Sequence, residues 1–221
     1  MEVCPLCSSL NATLAHITNM CNVALKQERF TWRHDSVLQY FTTTIKSLTT
    51  HTTEVFADIP GFRINGGTIP ADILVSVGEG SKPDLVIVDR ISKKVTLLEL
   101  TCSLPGSSDK AHKVKNTRYT QLSEDLEEKG YQVFLMPFEV MSSGHIAKPC
   151  KLNILNTLRQ FNVRLKINIF VNLVKIGLLC TMSVWPIPHF PDLSTLWTNL
   201  LGVNCSAVRR QGSTRVSPYI L

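Results

Sequence analysis

Apolar residues along this chain follow two spacings, one typical of helices and one typical of strands. A helical stripe runs through Val37, Leu38, Phe41, Ile45 and Leu48. The stripe predicts a helix that Asp35 or Ser36 would cap, and its threonine-rich second half leaves the end of the helix open. The apolar and β-branched residues of the segment 69–77 indicate a strand.

The clearest strand pattern lies in residues 83–89 and 95–101, two β-branched runs separated by a short polar turn. These runs predict a β-hairpin. A helix over about residues 109–128, a strand over 131–136 and a helix over about 151–161 follow. The alternation predicts an α/β (α+β) fold in which helices flank a mixed sheet.

The character of the chain changes after residue 162. Residues 167–185 are rich in Ile, Leu and Val but include Lys175, and one lysine at mid-membrane costs about 3 kcal/mol. Two interpretations of residues 167–185 therefore stay open, a packed helix or strand and a membrane anchor. We divide the chain into a metal knuckle (1–30), an α/β domain (31–162) and a basic, partly apolar, irregular tail of unknown role (163–221).

The balance of apolar and charged residues indicates a globular protein. Of 221 residues, 44% are hydrophobic and 18% are charged, which excludes wholesale disorder. The net charge of +6 suggests an anionic partner such as nucleic acid. However, residues 1–150 carry 15 basic and 16 acidic side chains, so the whole surplus lies in residues 151–221. A nucleic-acid function must therefore rest on local chemistry.

Four residues near the start have the spacing of a metal knuckle: Cys4, Cys7, His16 and Cys21. Thiolates and imidazole suit tetrahedral zinc, and four protein ligands make a closed, structural site. The alternative is that these are ordinary buried cysteines beside a surface histidine. The odd total of seven cysteines and the absence of a signal-peptide pattern favour a reducing, intracellular location.

The hairpin pattern brings two acidic residues together. If Asp89 pairs with Lys94, counting outward places Asp84 opposite Glu99 on an apolar face. Opposed carboxylates repel unless a cation lies between them, and oxygen ligands suit Mg²⁺. The alternative to a metal site is that Asp84 simply begins a strand and Glu99 lies on a solvated face.

Pro83-Asp84, 14 intervening residues, and Glu99-Leu100-Thr101 resemble the core motif of restriction-enzyme-like nucleases. Thr101 stands where that motif has lysine, so the lysine's task would fall to the next helix. There Lys115 lies on the same stripe as Tyr119, whereas Lys113 projects away from it. A surface lysine is the alternative for Lys115.

Together, the knuckle, the segment Thr31-Trp32-Arg33-His34-Asp35, the split acidic motif and Lys115 with Tyr119 resemble one family. It is the C-terminal region of retrotransposon polyproteins that lack long terminal repeats and carry a restriction-like endonuclease. The resemblance covers about residues 4–160. It implies a magnesium-dependent DNA nickase whose product 3′ hydroxyl primes reverse transcription, with Asp84, Glu99 and the Leu100 carbonyl on the metal and catalytic roles for Lys115 and Tyr119.

The resemblance also implies partners. DNA is the expected partner, with RNA and a reverse transcriptase supplied in trans as further candidates, and the expected location is nuclear. The expected nucleic-acid contacts are Lys26, Arg29, Arg33, His34, Lys113 and Arg118. For the basic residues beside the knuckle, the alternative is a solvated charged surface. The sequence has no Asp-Asp pair of the kind a polymerase needs, so we expect a fragment or domesticated remnant without its polymerase. The rival hypothesis is a catalytically inactive module that binds nucleic acid through the knuckle and the basic tail.

Overall fold

The computed structural model describes residues 3–10, 12–59, 69–74, 82–102, 104 and 119–183. Within these residues, a four-stranded mixed sheet is flanked by helices, which confirms the predicted mixed α/β fold. In chain order the elements are a π-helical turn (His16–Met20), α1 (Asn22–Lys26), α2 (Arg29–Leu48), β1 (Thr53–Ala57), β2 (Leu85–Asp89), β3 (Lys94–Thr101), α3 (Thr120–Glu128), β4 (Gln132–Glu139), α4 (Lys148–Arg159) and α5 (Ile167–Ser183).

The strands follow one another across the sheet in the order β1-β2-β3-β4. β2 pairs antiparallel with both β1 and β3, and β4 runs parallel to β3. The hairpin has the predicted register, because Asp89 pairs with Lys94 and Val86 pairs with Leu97. In the turn, the Asp89 carboxylate accepts the N–H groups of Ile91 and Ser92 at 3.0 and 3.1 Å, which holds the turn closed.

The two central strands are buried on both faces. On one face, α2, α4 and α5 form the main core with residues including Phe41, Leu85, Ile87, Leu98, Phe138, Leu158 and Leu173. On the other face lies a second core of Phe56, Val86, Val88, Val95, Leu97, Tyr119, Leu122 and Leu126. Because side chains alternate along a strand, this arrangement explains why β2 and β3 read as nearly continuous apolar runs.

The helix predicted from residue 37 begins earlier, at Arg29, and the predicted caps are wrong. Asp35 and Ser36 both lie inside α2. The Ser36 hydroxyl donates to the Trp32 carbonyl at 2.7 Å, so its hydrogen bond is made within the helix. The later threonines act in the same way, and Thr42 donates to the Leu38 carbonyl at 2.7 Å. The helix therefore continues to Leu48.

The strand predicted at residues 69–77 is also wrong over its described part. Residues 69–74 form turns, in which the N–H groups of Ile73 and Leu74 both approach the Pro70 carbonyl. Ile69 and Ile73 are nevertheless buried in the second core. One edge of the sheet is formed by β1, a segment that the sequence pattern does not predict to be a strand.

The later elements match their predictions, with shifted ends. α3 ends at Glu128 as expected, and its predicted first half, residues 109–118, lies outside the described residues. Gly130 adopts φ +81°, and Tyr131 N–H donates to the Leu126 carbonyl at 3.0 Å, which together close the helix in a Schellman motif. The strand predicted at 131–136 extends to Glu139, and α4 begins at Lys148.

The first apolar stretch of the predicted tail is a packed helix. α5 lies against α2, and Leu173, Ile176 and Cys180 are buried in the main core. The Asn172 amide donates to the Tyr40 hydroxyl at 2.9 Å. None of the described helices has the length and apolar character needed to cross a membrane. Residues 184–221 lie outside the described part.

Candidate functional site

The knuckle brings its four predicted ligands together. The ligand atoms of Cys4, Cys7, His16 and Cys21 all lie within 4.8 Å of one another. The sulfurs of Cys4 and Cys21 are 3.9 Å apart, and the Cys7 sulfur lies 3.2 Å from His16 Nε2. Ligands on one tetrahedral zinc, with Zn–S bonds of about 2.3 Å, stand about 3.8 Å apart. The cluster therefore fits a metal such as zinc.

Local backbone structure prepares Cys4 for metal binding. Ser8, at φ +59°, reverses the chain so that Cys4 N–H donates to the Ser9 carbonyl at 2.9 Å. Burial raises the pKa of the Cys4 thiol, but hydrogen bonds from the backbone N–H groups of Cys7 and Leu6 outweigh it and lower the pKa to about 6. A thiolate, the form that binds zinc, is thus favoured near neutral pH.

The acidic pair lies at the open end of the hairpin. Leu85 pairs with Leu98, and one further step of that register would place Asp84 beside Glu99. Both are buried, at 8% and 3% exposure. The Leu100 N–H donates to Asp84 Oδ2 at 2.7 Å, which fixes the orientation of that carboxylate. Among the described residues, only the knuckle gathers three or more His, Cys or acidic ligands.

His34 reaches this site from α2. Its Nε2 lies 3.3 Å from Asp84 Oδ2, and its Nδ1 lies 3.0 Å from Asp35 Oδ1. Burial lowers the pKa of His34, but the charge of Asp84 and the hydrogen bonds to Asp35 and Asp84 outweigh burial and hold the pKa well above its usual value. The raised pKa favours the imidazolium form of His34, which would bridge the two carboxylates. The sequence interpretation predicted a nucleic-acid contact for His34 and missed this position beside Asp84.

Tyr119 supports the second carboxylate. Its hydroxyl donates to Glu99 Oε2, and the same hydroxyl lies 3.3 Å from the Lys82 carbonyl. The ring is buried in the second core together with Leu122 and Leu126, as the helical stripe predicted. Tyr119 thus links α3, the segment before β2, and the β3 glutamate.

The predicted basic residues occupy different environments. Lys26 is exposed, and Arg29 is half-buried and donates to the Gln27 side chain at 2.7 Å. Arg33 is only 2% exposed, with its guanidinium on the carbonyls of Thr18 and Cys102. Burial removes Arg33 from the predicted nucleic-acid surface. Lys113, Lys115 and Arg118 lie outside the described residues, so the predicted place of Lys115 near the carboxylates stays a prediction.

Comparisons with known proteins leave the family open. No protein-family model matches the chain, and no curated protein matches it. A solved structure similar to it is an N-terminal domain of a reptarenavirus L protein, at 12% identity over 79% of this chain and 82% of that chain, with a TM-score of 0.35. A likeness of that size carries no conclusion, so the case for function depends on the residues of the site.

Proposed function

We propose that this chain is a magnesium-dependent DNA endonuclease of the retrotransposon-associated, restriction-like type. It would nick DNA and supply a 3′ hydroxyl to a reverse transcriptase acting in trans. The observation that carries the proposal is the burial of both Asp84 and Glu99 at the open end of the hairpin, where one further step of the register would set them opposite each other. Carboxylates buried among valines and leucines need a compensating cation or hydrogen bonds.

The residues of the site have separate tasks in this proposal. Asp84 and Glu99, with the Leu100 carbonyl, would hold the ion. A bound Mg²⁺ would supply Lewis-acid activation of a water for attack on a phosphodiester. The Leu100 N–H and His34 orient Asp84, and Tyr119 orients Glu99. Lys115 would stabilise charge on the phosphate or position the attacking water.

The knuckle would bind structural zinc, because its four ligands leave no coordination position open. The exposed Lys26 and the half-buried Arg29 beside it are the proposed phosphate contacts of this module. We propose DNA as the main partner, with RNA as a further one, and the nucleus as the site of action.

Nicking of supercoiled plasmid tests the proposal. Asp84→Asn and Glu99→Gln keep the shape of each side chain and remove its charge. A metal ion held by the two carboxylates would lower the activation barrier by several kcal/mol. Each variant should therefore nick DNA more than about a hundredfold more slowly than the wild type. Glu128→Gln, on the exposed end of α3, is the matched control. Cleavage by both site variants at the rate of the control would refute the proposal.

One observation favours the rival function, an inactive nucleic-acid-binding module. The imidazolium of His34 already lies on Asp84, where a cation would bind, and Thr101 replaces the motif lysine. In that case the protein would bind DNA or RNA with strong salt dependence and show no magnesium-dependent cutting. The plasmid assay and a binding isotherm at two salt concentrations separate the two functions.

A further inference from the structure

A buried junction connects the knuckle to the strand that carries Glu99. The Asn19 side chain donates through Nδ2 to the Cys102 carbonyl at 3.1 Å. One guanidinium nitrogen of Arg33 donates to the same carbonyl at 3.3 Å, and the other donates to the Thr18 carbonyl at 2.8 Å. Thr18 and Asn19 belong to the π-helical turn, and Cys102 directly follows β3. Two donors from outside the sheet thus converge on the end of β3.

Arg33 is unusual for a buried arginine. It is 2% exposed, and the ion pairs of the described residues include none between Arg33 and a carboxylate. Its hydrogen bonds go to two carbonyls and, at 3.4 Å, to the Thr181 hydroxyl of α5. Burying a guanidinium without an opposite charge is costly. The geometry of the junction must therefore be held firmly by the segments around it.

The knuckle alone has little apolar packing with which to hold that geometry. Among its described residues, the buried apolar ones are Cys4, Cys21 and Ala24, two of which belong to the candidate metal cluster, and small or partly buried side chains such as Leu6 and Val23 pack against them. The turn carrying Thr18 and Asn19 lies between the ligands His16 and Cys21. In modules of this size, metal binding supplies most of the folding free energy. The position of Asn19 would then depend on an occupied metal cluster.

We propose that the metal-bound knuckle clamps the end of β3 through the positioning residues Asn19 and Arg33, and so holds Glu99 three residues earlier. The knuckle then acts as a part of the α/β domain rather than as a separate nucleic-acid module. The role of Glu99 rests on the proposed endonuclease function, but the clamp itself does not. Zinc is the metal that the ligand set favours.

Hydrogen exchange of the whole zinc-loaded chain, followed by mass spectrometry, tests the clamp. Asn19→Ala removes one donor, and exchange of residues 97–102 should become about fivefold faster. Asn22→Ala is the matched control, because Asn22 is exposed in the same module. Removal of zinc should accelerate exchange of residues 97–102 at least about tenfold. α3, on the opposite face, serves as the internal reference and should keep its protection.

Two results would overturn the clamp. One is faster exchange confined to residues 3–26 after zinc removal. The other is an equal acceleration in α3, which would indicate a general loss of stability.

A second variant tests the other donor of the junction. Arg33→Lys keeps the positive charge but cannot donate to both carbonyls as the guanidinium does, so it should also accelerate exchange of residues 97–102. If the chain nicks DNA, Asn19→Ala should lower kcat and leave the Kd for DNA unchanged. The exchange result decides the clamp even if no nicking occurs.

Discussion

Replacing His34 by glutamine separates charge from hydrogen bonding at the candidate site. Glutamine can still donate to Asp84, but it carries no positive charge. The imidazolium lies between Asp84 and Asp35, with 21% of its side chain exposed. The variant therefore tests whether the charge of His34 stabilises the fold.

The expected magnitude follows from the geometry. The contact with Asp35 is 3.0 Å and the contact with Asp84 is 3.3 Å. A hydrogen bond between charged groups contributes about 1.5 to 3 kcal/mol, and the longer contact belongs at the weak end of that range. Asp84 keeps its bond from the Leu100 N–H. Part of the gain is offset by desolvation, so we expect a loss of about 2 kcal/mol, equivalent to a Tm lower by about 4 to 8 °C.

The effect should depend on pH. Burial lowers the pKa of His34, but Asp84 and Asp35 outweigh it and raise the pKa well above its usual value. A raised folded-state pKa means that the stabilisation is fully present below the unfolded pKa of about 6.5 and is lost as pH rises through the folded pKa. Urea unfolding in magnesium-free buffer should show the full difference near about pH 6 and a shrinking one in the alkaline range.

The exposed His51 provides the control, since His51→Gln removes a histidine from the surface. A constant difference between wild type and His34→Gln at all pH values would refute the reasoning. That result would mean that hydrogen bonding and shape, rather than charge, account for the contribution of His34.

Two further predictions concern backbone packing and the metal. Gly144→Ala should lower the free energy of unfolding, measured with urea, by about 3 kcal/mol, because φ is +78° and a Cβ would lie 2.6 Å from the Val174 carbonyl oxygen. Gly130→Ala, where a Cβ would meet open space, should lower it by only about 1 kcal/mol. Co²⁺ added to metal-free protein should give the visible absorption of a tetrahedral site with thiolate ligands. Cys21→Ser removes one thiolate and should weaken that absorption. The affinity of the site for Co²⁺ should fall steadily as pH drops, because protons compete first for Cys7 and then, near pH 6, for Cys4. A backbone hydrogen bond at Ser9 lowers the pKa of Cys7, but burial and the neighbouring cysteines outweigh it and raise that pKa. An affinity independent of pH would contradict this.

The hairpin register was predictable because strand side chains alternate with period two. Once Asp89 and Lys94 are paired, every further pair follows, up to the placement of Asp84 beside Glu99. The knuckle was predictable for a similar reason, since its ligands lie close in sequence. In both cases a local spacing determines the geometry.

Contacts between distant segments were not predictable in this way. His34 and Asp84 are 50 residues apart, and Arg33 and Cys102 are 69 apart. No periodicity in the chain indicates which face of α2 meets the open end of the hairpin. Arg33 and His34 are adjacent, yet one is enclosed by carbonyls and the other by carboxylates. Both residues were predicted to contact nucleic acid because both are basic. The basic character of a residue does not indicate which groups will surround it in the folded protein.

The charges at the candidate site distinguish the two proposed functions. Among the described side chains, the hydrogen-bonded groups there contain three carboxylates, Asp35, Asp84 and Glu99, and one cation, His34. Tyr119 donates a hydrogen bond to Glu99 but brings no charge. In the proposed nuclease, Lys115 or a divalent ion would add a further cation to this site. In a working nuclease, magnesium competes with His34 for Asp84 and lowers the pKa of His34 measured by NMR. In an inactive scaffold, magnesium leaves that pKa unchanged.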